Sequence, residues 1–501
     1  MMAARCHDMR TSIFIGIDMG STGLKAVAFE AGSGLGLATA GSVLPLQRTR
    51  GGGCELAAEA IAGALQHALR GVTRQLADRV HDVLAIGCTG HGAGLYVLDA
   101  QGRLLRGRAV ASTDQRAAAR ARALLRPFGA RLAEAVGCGP WAGQPTLVAA
   151  ELVAAGELRR EEIRHLLFAK DYLGFLLTGE MATDASDAST AGLLSLATGE
   201  PAPLAFEAVG LPELAGALPP LQPSGTVLGR LKPALAEACG LPAGLPVAVG
   251  TIDLLASLDA VDAPARGQAV AVLGTWCVNA VVAPVRAPQP AVGGVVHFGA
   301  PDRRLYLENS PSSMANLAWL ARTLGFADAA AVVDAAMTVP LGADGLRFLP
   351  FINGGGVSPD ASGGFIGLAA HHERQHLARA AVDAVLALHA WHLDRLAVLG
   401  LGAPAQVAAL GGGARDVRMV QLLADFLGHP VERCGDDETG ARGAALYAAR
   451  AVGAPAGTLP APRDLVQPAG GAAAHAGFRA GFDALLDSLA PAFAQQAGGQ
   501  R

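Results

Sequence analysis

Asp18 ends an apolar run that starts at Ile13, and Gly20-Ser21-Thr22-Gly23 follows it almost at once. An acid beside two hydroxyls and two glycines can make a phosphate site. Backbone N–H groups and hydroxyls surround the anion, and a carboxylate can hold hydrated Mg2+. Apolar residues alternate through Ile13, Ile15 and Ile17 and again through Leu24, Ala26 and Ala28, so the glycine turn joins two strands. A P-loop is excluded, because that motif needs a longer loop, a Lys-Ser/Thr pair and a following helix. The same four residues also suit an ordinary hairpin with a polar turn. Lys25 is one of three lysines in the chain, with Lys170 and Lys232. Alternation puts it on the outward face of the second strand, outside the primary site.

The elements around this hairpin read as a mixed α/β chain. Residues 12–114 alternate strands with helices, and Leu95–Asp99 with Leu104–Ser112 reads as another hairpin. Helical spacing runs from Ala117 to Gly179, followed by a Ser/Thr/Asp-rich connection, Ala182–Leu196, and a proline-punctuated stretch, Pro201–Pro223. From Gly244 the opening design repeats: an apolar strand ends on Asp253, and a second strand–Gly–Thr–strand unit follows at Val270–Val282 around Gly274-Thr275. The echo suggests two related halves with a boundary near Val261–Gly267. Later elements are helices from about His376 to Leu399, a strand Gln406–Leu410, the Gly411–Gly413 turn and a helix from Asp416 to Leu427. Residues 452–475 read as a loose connection before a C-terminal helix carrying Phe478, Phe482, Leu485, Leu486 and Leu489.

Bulk properties narrow the partners. A chain of 501 residues exceeds what one core organises. Its net charge of −4 and lack of a basic block give no reason to expect nucleic acid or an anionic membrane surface. Seven scattered cysteines without a CxxC pair suit a reducing, cytoplasmic setting, and Met1–Arg10 lacks the apolar segment of a secretory signal. The uncharged stretch Gly267–Val285, broken by Gly274-Thr275 and Asn279, reads as two buried strands rather than a membrane helix.

Several motifs in order resemble the FGGY carbohydrate kinases of the actin-like ATP-binding superfamily. Gly363-Gly-Phe-Ile-Gly-Leu368 and His376-Leu-Ala-Arg-Ala-Ala-Val-Asp383 are similar to the family signature, and Phe168-Ala-Lys-Asp-Tyr-Leu173 with Leu177-Thr-Gly179 is similar to its "PKDYL…LTG" stretch. The resemblance spans about Ile13 to Ala449 and implies an α/β fold of two actin-like (ribonuclease H-like) ATPase domains with a cleft between them. It divides the chain into an N-terminal kinase domain (12–262), a C-terminal kinase domain (263–452), and a loose connection with a C-terminal helix (453–501). ATP and Mg2+ are the implied cofactors, and a homodimer is the implied assembly. Asp253 matches the catalytic aspartate that accepts the substrate hydroxyl's proton, a role for which a buried carboxylate is chemically adequate. An aspartate at that point also caps a helix. Asp18, through water to Mg2+, works with Gly20, Ser21 and Thr22 from the first domain, and Gly274 and Thr275 match the second phosphate loop. Gly412, Gly413 and Arg415 match the adenosine motif, and Glu438-Thr-Gly-Ala-Arg-Gly-Ala444 is similar to a segment near the nucleotide.

For the acceptor, the resemblance points to His91 in Gly90-His-Gly-Ala-Gly94, to Asp114 and Arg116 in Ser112-Thr-Asp-Gln-Arg116, and to Trp141 as a wall against a sugar's C–H face. Trp141 equally suits the core. His91 stands where many ketopentose kinases carry glutamine, Ala93 where they carry histidine, and Ser112 where they carry tryptophan, which weakens a D-xylulose assignment. With Trp141-Ala-Gly-Gln-Pro145, Gly274-Thr-Trp276 and Asn309–Ser313, the set is most similar to the L-xylulose kinase branch. The expected reaction is γ-phosphate transfer to a small sugar such as L-xylulose, with erythritol, ribulose or another short polyol as alternatives. An actin-like ATPase module or a sugar-binding pseudokinase are the non-enzyme alternatives.

Overall fold

The computed structural model describes residues 11–20, 22–49, 51–286, 292–311, 313–355, 361–401, 406–435 and 438–499. Ser21 lies outside the described residues. The chain forms two compact units: Met1–Asp262 with Gly294–Arg304 and Glu438–Ala461, and Ala263–Gly293 with Leu305–Asp437 and Pro462–Arg501. Neither unit is a contiguous stretch of chain.

In the first unit, strands β1 (Ile13–Met19), β2 (Gly23–Glu30), β3 (Gly36–Val43), β4 (Val83–Gly90), β5 (Val227–Arg230) and β6 (Pro246–Ala248) form a sheet in the order β5-β6-β4-β1-β2-β3. β1 pairs antiparallel with β2 and parallel with β4. The parallel partner requires a crossover, which passes through helix Ala58–Leu76. Ile13, Ile15, Ile17, Leu24, Ala26 and Ala28 form one face and pack with Ile61, Leu65, Leu69 and Val72 of that helix. The alternation in the sequence reports this face.

The opposite face is buried as well. Phe14, Val27 and Phe29 pack with Ala441, Ala445 and Ala448 of helix Thr439–Ala451, which returns to the N-terminal sheet from far along the chain. Gly16 and Gly87 are register partners on β1 and β4. A Cβ at Gly16 would lie 1.7 Å from the Ala441 carbonyl oxygen, and one at Gly87 would lie 1.9 Å from that of Ala444. The paired glycines let the helix lie on the strands backbone to backbone.

The expected 95–112 hairpin is only partly realised. Leu95 bridges Val110 and Leu98 bridges Leu104, but Tyr96–Leu98 forms its ladder with His165–Leu167, and Arg108–Val110 with Cys54–Ala57. The Ser/Thr/Asp-rich connection contains a helical turn and a half, Ala185–Thr190, whose N-terminus Asp184 caps by accepting from the N–H groups of Ser186 and Asp187.

The second unit's sheet uses β7 (Ala269–Leu273), β8 (Cys277–Pro284), β9 (Ala300–Ser310), β10 (Val407–Leu410), β11 (Val431–Cys434) and β12 (Arg463–Val466), in the order β9-β8-β7-β10-β11-β12. The β7–β8 hairpin turns at Gly274–Trp276, and β7 runs parallel to β10. No helix among the described residues is long and apolar enough to cross a membrane. The signature strand Gly364–Ile366 pairs with Arg347–Leu349, bringing the rings of Phe348 and Phe365 to 4.9 Å, and helix Arg374–Val398 follows. β12 lies where a loose connection was expected. It is a short edge strand with three exposed residues in four, so no burial alternation marks it. The final helix, Ala472–Gly499, buries Phe478, Phe482 and Leu486, and Phe478 meets Phe426 edge-on at 5.6 Å.

Candidate active site

Asp18 sits on β1 opposite Lys25 on β2. Cross-strand partners share a face, so Lys25 points to the same side as Asp18, not outward. Its Nζ donates to Glu438 Oε1 at 2.6 Å. Burial above all, then the carboxylates of Asp253 and Glu438, push the Asp18 carboxyl up to about 7, against the opposing pull of Lys25. Asp18 Oδ1 is buried and accepts no hydrogen bond within the protein. A Cβ at Gly440 would stand 2.2 Å from Asp18 Oδ2. The helix start at Glu438–Gly440 therefore shapes the Asp18 site directly.

Asp253 is the first residue of helix Asp253–Ala260, and β6 has already ended at Ala248. The expected strand-end aspartate is thus a helix-start aspartate; Pro246–Ala248 pairs with its neighbours, and the chain turns at Val249–Ile252. Asp253 Oδ1 accepts from the Leu254 N–H at 2.7 Å, yet burial still pushes the carboxyl up to about 6. The segment before it is pinned. Thr89 Oγ1 donates to the Thr251 carbonyl at 2.6 Å, and the Thr251 and Ser186 hydroxyls share a hydrogen bond of 2.7 Å.

Ser186 belongs to a buried ionic cluster. Lys170 Nζ contacts Asp171, lies 3.0 Å from Asp184 Oδ1 and lies 3.5 Å from Asp187 Oδ2. Burial opposes a charged lysine, but the three carboxylates hold its pKa above the ordinary range. Asp187 Oδ1 accepts from the Ala93 N–H at 3.0 Å, which ties this cluster to the His91 loop. The His91 N–H donates to the Met19 carbonyl at 2.9 Å, and its Nε2 lies 3.3 Å from the Tyr96 hydroxyl. Burial pulls His91 down to about 4, so the ring is neutral at physiological pH.

Asp114 is wholly buried and already saturated. It accepts from the Cys54 N–H at 2.7 Å, from the Arg116 N–H at 2.9 Å, and from Arg116 Nε at 2.9 and 3.0 Å. Arg116 NH2 donates to Glu55 Oε1 at 2.7 Å, and Arg106 donates to the same oxygen at 3.0 Å. Trp141 is partly buried against the core of Leu147, Phe168 and Phe206. A Cβ on its neighbour Gly143 would lie 1.9 Å from the Ser112 carbonyl oxygen, so the Trp141 turn is seated on the Ser112 backbone.

In the second unit, Gly274 and Thr275 form the β7–β8 turn. Gly411 takes a φ of +86°, and a Cβ there would meet the Leu273 carbonyl at 3.0 Å and the Gly274 N at 3.2 Å. The Gly411–Gly413 turn therefore lies against the Gly274 turn. Gly412 and Arg415 are exposed in the short helical turn Gly412–Arg415. A cavity of about 390 Å3 opens beside Thr275, lined by Met314, Ala318, Trp319, Arg322 and Asn353 among others. Gly20, Gly274 and Gly412 have something in common. None takes a positive φ, and an added Cβ would come no nearer than 3.6 Å to its surroundings. The fold does not require glycine at these three positions.

Residues 13–258 match the N-terminal domain of the FGGY family of carbohydrate kinases, and residues 269–452 match its C-terminal domain. The xylulose kinase of Escherichia coli (strain K12) is 30% identical over 445 residues, covering 87% of this chain and 89% of the relative. The chain belongs to the FGGY family of carbohydrate kinases. The L-xylulose/3-keto-L-gulonate kinase of Escherichia coli (strain K12) is 29% identical over 391 residues, 77% of this chain and 78% of that one. A solved xylulose kinase from Rhodospirillum rubrum has a TM-score of 0.84 at 26% identity, covering 96% of this chain and 99% of the other. This FGGY kinase is a sugar phosphotransferase on the two-domain actin-like ATPase fold.

In this FGGY kinase the structure gathers Asp18, Asp253, Lys25 and Glu438 by mutual electrostatics, and Gly274, Thr275, Gly412 and Gly413 by packing. It gathers Asp114 and Arg116 with Glu55, which sequence reading passed over. Lys25 was also misplaced there. The turn Gly20–Gly23 could have fixed the register, since a pairing centred on it sets Asp18 opposite Lys25. Asp187 had a weaker signal: it lies three residues after Asp184 in an acid-rich stretch, in a chain with few lysines to neutralise it.

Proposed function

We propose that this kinase transfers the γ-phosphate of ATP to a hydroxyl of a small ketose, with L-xylulose the leading acceptor. The observation that carries the catalytic reading is the Asp18–Asp253 relationship: two carboxyls, each pushed up, one of them by the other. Such a pair is costly without a cation and so suits one, and the unpartnered Asp18 Oδ1 offers it an acceptor. The ion would be held by Asp18 through water and by phosphate oxygens. Mg2+ bound there would neutralise charge on the transferring phosphoryl group.

Asp253, with a carboxyl near 6, accepts the acceptor hydroxyl's proton as the new O–P bond forms, the γ-phosphorus–oxygen bond breaks, and ADP leaves. Gly20, Thr22, Gly274 and Thr275 contact phosphates. Glycines that the fold does not require are explained if a phosphate needs the space. Gly412, Gly413 and Arg415 take the adenosine end beside the cavity at Thr275. Residues 12–262 and 263–452 serve as the two kinase domains, with 453–501 as the tail. His91, Arg116 and Trp141 line the acceptor site, and Asp114 serves it by holding Arg116 in place. The relative named as an L-xylulose/3-keto-L-gulonate kinase supports the choice of acceptor.

Coupled ADP release measured across ketoses and short polyols, with Asp253→Ala as control, tests the proposal. L-Xylulose should give the highest kcat/KM, and the control should lose activity. No acceptor-dependent ADP release, or an unimpaired Asp253→Ala, refutes it.

A further inference from the structure

Helix Arg374–Val398 carries two buried histidines one turn apart, His389 and His392, each with a complete set of partners. His389 Nδ1 lies 2.9 Å from Asn279 Oδ1, and its Nε2 lies 3.1 Å from the Ser313 hydroxyl. His392 Nδ1 lies 3.2 Å from Glu308 Oε2, and its Nε2 lies 2.8 Å from the Ser310 hydroxyl. The partners fix the tautomers. An amide oxygen and a carboxylate only accept, so both Nδ1 atoms carry the hydrogen, and both Nε2 atoms accept from serine. Burial pulls both rings below their ordinary pKa, which keeps them neutral and the pattern intact.

Serine, histidine and an acid or amide in sequence would suit nucleophilic catalysis elsewhere. Here Ser310 and Ser313 have no exposure, so no substrate reaches them. What Ser313 holds is a loop. The Ser313 N–H donates to the Thr275 carbonyl at 3.0 Å, and the Met314 N–H donates to the Gly274 carbonyl at 3.0 Å. The start of helix Met314–Leu324 is thereby capped by the carbonyls of the Gly274–Thr275 turn. In a trans peptide the N–H points opposite to the carbonyl. With the two carbonyls drawn back to the helix start, the N–H groups of Thr275 and Trp276 face the other way, as an anion site needs.

We infer that His389 is a positioning residue for phosphoryl transfer: through Ser313 it fixes the orientation of the Gly274–Thr275 turn toward the nucleotide phosphates, with His392 and Ser310 bracing the same helix and strand. This rests on the assignment of that turn to phosphate made above. Replacing either histidine risks the fold, so the test uses Ser313→Ala, which removes one hydroxyl, and Ser313→Thr, which restores it.

The KM for ATP should rise about tenfold in Ser313→Ala, the scale of one ordinary hydrogen bond, with kcat reduced. The KM for the sugar should stay near wild type, the melting temperature should fall by only a few degrees as His389 Nε2 loses its partner, and Ser313→Thr should recover the ATP KM. A wild-type ATP KM in Ser313→Ala, or ATP and sugar KM rising together, overturns the positioning role. Thr275→Val separates the two layers. If it too leaves the ATP KM unchanged, the phosphate assignment of the turn falls and takes this inference with it. If it raises the ATP KM while Ser313→Ala is silent, the histidine relay alone is refuted.

Discussion

Asp18 and Lys25 are register partners across the β1–β2 hairpin, and Lys25 reaches on to Glu438 at the start of a helix more than four hundred residues away. The lysine is the cation that lowers the Asp18 pKa, against the raising effect of Asp253 and Glu438. Replacing Lys25 by methionine removes the influence that lowers the Asp18 pKa. The acid limb of the kcat profile should therefore move to higher pH, and less Mg2+ should be needed for half-maximal rate, because Lys25 repels a divalent cation as it repels a proton. A pH profile at saturating sugar, and a Mg2+ titration, measure both.

Asp253→Asn keeps the shape of the side chain and removes the base. kcat should fall by about 10²–10⁴-fold, the usual worth of a positioned general base, with little change in either KM. In the wild type at saturating Mg2+, which keeps Asp18 ionised, the rate should fall off below about pH 6, where the Asp253 carboxyl becomes protonated. A rate independent of pH across that limb would remove Asp253 from the role.

Stability without nucleotide should run the other way. Asp18 and Asp253 bind protons more tightly folded than unfolded, where the ordinary value is 3.8. The stability they contribute is complete below 3.8 and is lost as pH rises through about 6 and about 7. Asp18→Asn should accordingly raise the melting temperature more at pH 8 than at pH 5, and Mg2+ should stabilise the wild type more at the higher pH. Thermal melts at the two pH values decide it.

Gly440→Ala reverses the usual sign of a helix substitution. Alanine in a helix ordinarily gains about 0.5–1 kcal/mol over glycine. Here the new methyl group would stand 2.2 Å from Asp18 Oδ2 and must displace the carboxylate. Activity should drop more than tenfold, and overpacking should cost about 1–3 kcal/mol. Urea denaturation with parallel rate measurements would show both effects.

Asp114→Asn tests whether Asp114 supports Arg116 or meets substrate. An amide cannot accept all four of the hydrogen bonds the carboxylate accepts, so the variant should lose about 1.5–3 kcal/mol of stability. Arg116→Lys keeps the charge and loses the fork, and it should raise the sugar KM while leaving the ATP KM alone. Equal rises in both constants would place Arg116 outside the acceptor site.

What the sequence disclosed was mostly local. The β1–β2 hairpin, helix Arg374–Val398 and the Gly411–Gly413 turn carry their periodicity or turn chemistry within a few residues. The turns Gly20–Gly23 and Gly274–Thr275, and Asp253, were visible as short motifs. The misses depend on distant partners: a saturated Asp114 needs Cys54 and Arg116, the Asp18 pocket needs Gly440, and the role of Gly16 needs Ala441. Asp253 was misassigned to a strand because an apolar run of this length suits either a strand or a strand and turn leading into a helix. β12 escaped because an edge strand is held by main-chain pairing and leaves little pattern in its side chains.

The seating of helix Thr439–Ala451 on Gly16 and Gly87 has a consequence for how the protein is made. During synthesis β1 and β2 leave the ribosome early, yet the apolar face of Phe14, Val27 and Phe29 has no cover until the chain has grown past Ala451. The Asp18 neighbourhood also lacks Glu438 and Gly440 until then. A chain truncated before that point keeps an open sheet and an incomplete Asp18 neighbourhood, and exposed apolar sheet is prone to aggregate. Helix Thr439–Ala451 thus acts as a completeness check on the first two strands.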